Sequence, residues 1–198
     1  MPEKVTLEYI GFHGTDAANE QSILKNSFKK SDDSKDWYGT GAYFFIDGIS
    51  DRSAVECAVQ WSKDWSWDKR DKKYRYVDYI VLQAKIKILD TEILDLTDFK
   101  GLHLFNRFRE GTRQKILDGG KKVKDKDISD SHIFEIMKQK LNIKVIIGNV
   151  FIKFADIRKM TYYRSNVPNV TIMCVDNTKT DYIDVCDLQV KMKGAITI

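Results

Sequence analysis

The sequence predicts an α+β fold, and three observations carry that prediction. Leu82, Ala84, Ile86 and Ile88 alternate with Gln83, Lys85 and Lys87, the period of a strand with one wet face. Ala54, Val55, Cys57, Ala58 and Trp61 recur at helical spacing. Strand-like runs both open the chain and return near its end, where Val170, Ile172 and Cys174 alternate with Thr171, Met173 and Val175.

The 198 residues, 42% hydrophobic and 12% aromatic, suffice for the core of a single domain over 1–198, with 98–142 readable as a helical insertion. Only 2 prolines and 11 glycines argue against low complexity. No apolar run approaches the ~20 residues of a membrane span, and Met1-Pro2-Glu3-Lys4 does not read as a signal peptide. Cys57, Cys174 and Cys186 sit among apolar neighbours without a C-x-x-C spacing. They read as reduced core residues of a cytoplasmic protein, and neither they nor the histidines suggest a metal site. The net charge of +4 names no partner. Residues 99–147 hold 12 Lys/Arg against 6 Asp/Glu, which suits either phosphate contact or a solvated helix face.

In chain order, Val5, Leu7, Tyr9 and Ile10 predict a strand running into a turn at His13, and Thr15 or Asp16 caps the next helix. Residues 27–38 are polar and read as a loop. Residues 42–46 form a strand, and Ser53 caps the helix that holds Trp61. Trp65, Trp67, Tyr74 and Tyr76 are interleaved with Lys69, Arg70, Lys72, Lys73 and Arg75. That mixture suits stacking on unpaired bases, or equally a loop whose aromatics pack on the body. Leu102, Phe105, Phe108 and Ile116 predict a helix over 99–117, and Ile133, Met137 and Leu141 another, capped by Ser131. Residues 143–154 read as a strand pair or one bent strand, broken at Gly148-Asn149. A switch of apolar parity predicts a β-bulge near Cys186-Asp187.

Two short segments stand out. Gly11-Phe12-His13-Gly14-Thr15 puts a histidine among small residues, and Gly39-Thr40-Gly41-Ala42-Tyr43-Phe44-Phe45 enters an aromatic strand through two glycines. Backbone without Cβ atoms lets a flat ligand approach closely, while His and Tyr offer a hydrogen bond and a stacking face. Each segment alone also reads as a turn and a buried strand.

Taken together, in this order and with Ile23-Leu24 between them, the two segments resemble the poly(ADP-ribose)-polymerase-like branch of the ADP-ribosyltransferases. The likeness is good over 9–62, fair over 79–96 and weak in the middle of the chain. It implies two small, mostly antiparallel sheets around an NAD cleft with helices outside. It also implies NAD as a consumed substrate, with His13, Gly14, Thr15, Gly41 and Tyr43 holding it and Ser53 and Trp61 as nearest candidates for further contacts. The family's Glu is matched by Asp181 in Asp181-Tyr182-Ile183 followed by Gln189-Val190, one methylene shorter. A second alignment puts Thr171 or Ile172 at that place. The expected activity is mono-ADP-ribosylation of a macromolecule, RNA ahead of protein. Small members of the family suggest a toxin or phage-defence effector restrained by an antitoxin. The alternative is an inactive module binding ADP-ribose or RNA.

Overall fold

The computed structural model describes residues 4–31, 36–119, 129–158, 165–176, 182–183 and 187–196. Strand β1 (Thr6–Asp16) leads through a short 3-10 turn into helix α1 (Glu20–Asn26). Strand β2 (Ala42–Ile46) precedes α2 (Ala54–Ser66), and a two-stranded ribbon, β3 (Trp67–Asp68) and β4 (Lys73–Tyr74), connects α2 to β5 (Asp78–Leu89). Then come β6 (Ile93–Asp95), α3 (Phe99–Asp118), α4 (Asp130–Leu141), β7 (Val145–Val150), α5 (Ala155–Arg158), β8 (Val170–Val175) and β9 (Gln189–Ala195).

The fold is α+β. Seven strands make one sheet in the order β6-β7-β8-β2-β1-β5-β9, beside the separate β3–β4 ribbon. Each adjacent pair is antiparallel except β6–β7. Where two small sheets were expected, β1 joins both halves into one. It pairs with β5 along its whole length, from Thr6↔Leu89 to Asp16↔Tyr79, but with β2 only at Phe12↔Phe45.

Two apolar clusters cover the sheet. On one side α2 and α4 bury Cys57, Ala58, Ile133, Phe134 and Met137 against Phe45, Val81, Ile146, Ile172 and Cys174. On the other, Ile23 and Phe28 join Phe44, Ile80, Leu82, Ala84, Ile86, Met173 and Ile183. Each Val, Leu, Ile, Phe or Met among them contributes about 1.5–3 kcal/mol by leaving water. From Leu82 to Ile88 strand β5 keeps the expected alternation, with Leu82, Ala84, Ile86 and Ile88 buried and Gln83, Lys85 and Lys87 more exposed; ahead of that stretch Tyr79 through Leu82 are all buried, as in a strand packed on both faces.

Local chemistry sets the helix ends. Asp16 caps the 3-10 turn by accepting from the Ala18 N–H. Ser53 and Glu56 form a reciprocal capping box on α2. Helix α4 is capped by Ser129, whose hydroxyl accepts from the His132 N–H, and not by Ser131, which lies within the first turn and is buried. Strand β7 runs unbroken through Gly148. A Cβ there would collide with the Tyr38 hydroxyl, so this glycine admits a ring where the sequence suggested a break. In β9 the irregularity falls at Lys191, since Val81 faces Met192 and Leu82 faces Val190. Cys186, half of the expected bulge, lies outside the described residues.

Candidate functional site

Beyond Phe12↔Phe45 a side chain takes over the link between β1 and β2. His13 Nδ1 donates to the Tyr43 carbonyl at 2.8 Å. That bond sets the tautomer and leaves Nε2 as an acceptor. The ring packs edge-on to Phe28 with centroids 5.0 Å apart. Burial lowers the His13 pKa, against a smaller opposing effect of the Tyr43 bond, and the ring stays neutral at pH 7. With its folded pKa depressed, His13 leaves stability intact above the ordinary histidine value of about 6.5 and diminishes it as pH falls below. Thermal melts should show that loss on acidification, and His13→Gln should reduce the slope; an unchanged slope would contradict the burial argument.

Gly14 follows at a close approach: a Cβ there would collide with the Ala58 carbonyl of α2. Helix and strand therefore touch through backbone, and the space beside them opens into a cavity of about 430 Å³. His13, Gly14, Gly41, Tyr43 and Trp61 all line it, as do Trp37, Trp65, Lys29, Asp36 and Ile172. Its aromatic wall is continuous. Trp37 lies 6.3 Å from Tyr43 and 5.7 Å from Trp61, and Trp61 stacks on Trp65 at 5.6 Å, with planes 15° apart. Trp65 is four residues beyond Trp61 on α2, so helical periodicity signals their shared face. Trp37, an aromatic inside a charged loop, gives a weaker signal.

The Tyr43 ring belongs to the cluster on the α2 side, whereas His13 packs with Phe28 and Phe44 of the other. They meet at the cavity because the strands part there. The Tyr43 hydroxyl donates to the Gly39 carbonyl at 2.7 Å and accepts from the Tyr38 N–H at 2.9 Å. Burial pushes this phenol up, so it stays protonated. Its hydroxyl holds the turn, and its ring is what it offers to a ligand.

The glycine turn is also held from α4. Glu135 accepts from the Thr40 N–H at 2.7 Å and the Thr40 hydroxyl at 3.1 Å. Lys138, 4% exposed at its side chain, donates to the Thr40 carbonyl at 2.6 Å and pairs with Glu135 at 2.9 Å. Burial raises the Glu135 pKa, but its bonds to Lys138 and Thr40 outweigh that and hold it below the ordinary value. Nothing local in the sequence announces this clamp, because its halves lie 95 residues apart.

Thr15 lies in a neighbouring cavity of about 170 Å³ with Asn19, Ser22 and Ser27; His13 and Lys29 border both cavities. The Ser27 hydroxyl is buried with no hydrogen-bond partner among the described residues. Ser53 serves as a helix cap and does not line the larger cavity. Thr171 is buried, donating to Asn149 at 2.8 Å and accepting from the Ile49 N–H at 3.1 Å, while Ile172 reaches the cavity. Asp181 lies outside the described residues; the following Tyr182 and Ile183 are fixed on β5, by the Lys87 N–H to Tyr182 carbonyl bond at 3.0 Å and the Ile183–Ile86 bridge. Among the described residues no group of side chains could hold a metal ion, and no helix is long and apolar enough to cross a membrane. Comparison of the chain with known protein families, curated proteins and solved structures gives no match.

Proposed function

We propose that the protein is an NAD-dependent mono-ADP-ribosyltransferase acting on a macromolecule, nucleic acid ahead of protein. The observation that carries this reading is the aromatic cavity at the parting of β1 and β2, where a neutral His13 and the Gly14 and Gly41 backbone meet Tyr43, Trp37 and Trp61. A nicotinamide ring suits the aromatic wall, and ribose hydroxyls suit His13 Nε2. The adjoining smaller cavity, whose Ser27 hydroxyl has no partner among the described residues, would take the second ribose in this reading. Lys29, which lines both cavities, would meet the diphosphate in this reading.

In the reaction, the bond between the nicotinamide nitrogen and C1′ of the ribose breaks. Its electron pair neutralises the pyridinium, and nicotinamide leaves uncharged. The acceptor atom bonds to C1′ and releases its proton. Positive charge grows on the sugar meanwhile, and a nearby carboxylate would stabilise it. Asp181 is the residue proposed for that role. NAD is consumed as substrate, and no metal takes part in this scheme. The activity suits a toxin or defence effector held by an antitoxin protein.

Incubation with NAD, reading free nicotinamide and searching RNA, DNA and protein for ADP-ribose adducts, tests the proposal. His13→Ala should weaken NAD binding by about 1–2 kcal/mol through one lost hydrogen bond. Tyr43→Ala should cost more, because a stacking surface goes with it. Unchanged NAD affinity in both folded variants would reject the site. Binding without nicotinamide release, even with acceptors present, would favour an ADP-ribose- or RNA-binding module.

A further inference from the structure

A second chemistry-bearing surface begins where the cavity of about 430 Å³ ends. At the end of α2, Trp61, Trp65, Trp67, Lys69, Arg70 and Arg75 line a separate cavity of about 370 Å³, and Trp61 and Trp65 also border the larger one. Trp65 is 56% exposed and Trp67 is 40% exposed, although both are large apolar rings. The ribbon that presents them is internally braced. The Asp68 carboxylate accepts from the Arg70 and Asp71 N–H groups and from the Arg75 guanidinium, at 2.9, 3.1 and 3.1 Å. The Arg75 guanidinium lies 4.9 Å from the centre of the Trp65 ring, and Tyr74 meets Trp67 edge-on at 5.0 Å.

The two acids bordering this cavity are already engaged. Asp68 is used as above, and Asp64 accepts from the Ala155 N–H at 2.9 Å. Residues 67–76 carry five cations and two carboxylates. Lys73 pairs with Asp71 and Arg75 with Asp68, while Lys69, Arg70 and Lys72 make no ion pair among the described residues. Exposed rings beside unpaired cations fit a ligand with flat faces and regularly spaced negative charge.

We infer that this cavity binds an unpaired base of single-stranded nucleic acid, with the flanking phosphates on Lys69, Arg70 and Lys72. A base in a duplex has both faces stacked and cannot offer one to Trp67. The binding itself is independent of the NAD reading. Its role as the acceptor subsite rests on that reading, and the shared Trp61–Trp65 wall would then bring the acceptor beside the ribose that reacts.

Fluorescence anisotropy of labelled ten-nucleotide oligo(U) and oligo(dT), without NAD, tests this. Wild type should bind at least one of them, and the better one names RNA or DNA. Trp67→Ala should weaken binding on the order of tenfold, the effect of losing one stacking platform. The triple change Lys69→Gln, Arg70→Gln and Lys72→Gln, confined to the ribbon tip, should leave the fold intact. It should reduce the slope of log affinity against log salt by about two, at roughly 0.7 per phosphate contact. Equal affinity in Trp67→Ala, an unchanged salt slope, equal binding of a duplex, or no binding at all would overturn the inference. Equal competition by a poly-glutamate peptide would overturn it too, in favour of a protein acceptor. NAD affinity, measured separately, should be unchanged in all these variants. If wild type binds oligonucleotide but not NAD, the transferase reading fails and the base site stands.

Discussion

Glu135→Ala is expected to lower stability by about 3 kcal/mol, the effect of breaking one partner from a buried ion pair. In a chain of 198 residues that is a fall in Tm of roughly 10 °C. The expectation follows from Lys138, whose 4% exposed ammonium would be left with the Thr40 carbonyl at 2.6 Å and a more distant Asp176 at 3.8 Å. The Thr40 N–H and hydroxyl lose their acceptor at the same time. Removing the stranded charge as well, in Glu135→Ala with Lys138→Met, should recover part of the loss. NAD affinity should fall in the single variant, because the Gly39-Thr40-Gly41 turn carries Tyr43. The wild type carries a related pH dependence. Glu135 has a folded pKa below its unfolded one, so its contribution is complete above the ordinary glutamate value of about 4.3 and disappears as pH falls through the folded value. A single variant that melts with the wild type, or a double variant that recovers nothing, would contradict the clamp.

Asp181→Asn is expected to slow nicotinamide release roughly 10²–10³-fold, the usual cost of removing one preorganised electrostatic partner from a transition state. NAD binding should survive, since His13, Gly14 and Tyr43 are untouched; the loss should appear in kcat with little change in KM. The expectation rests on the Asp181-Tyr182-Ile183 and Gln189-Val190 spacing, and on Ile183 being pinned to β5, the strand that pairs with β1 along the His13 segment. Asp181→Glu tests reach, and could exceed wild type if the shorter side chain falls short. If Asp181→Asn matches wild type in turnover, the charge lies elsewhere; Asp36, a carboxylate on the cavity wall, is then the next residue to change.

The parts of the site written into adjacent residues were legible. A histidine between small residues, a tyrosine behind Gly-x-Gly and an aromatic stripe on α2 each have a local physical signature, and the strands gather them. What required the structure was pairing at long range. β2 meets β8, whose residues come more than a hundred positions later, and a clamp from α4 fixes the turn before Tyr43. Neither carries a periodicity. Gly148 misled for a related reason: its missing side chain answers Tyr38, far away in sequence, so a local rule read it as a break.

The order of the sheet also has a consequence for how the protein is made. β2 stands between β1, which precedes it, and β8, which is synthesised last but one among the strands of the described residues. A ribosome-bound chain carrying everything through α4 would still present β2 with one side unpaired and the Ile172 wall of the cavity unbuilt. Long-range pairing of this kind folds slowly. On the proposed transferase reading the delay would be protective: the cavity is completed only once β8 has been translated, so chains that stop before β8 would carry no activity.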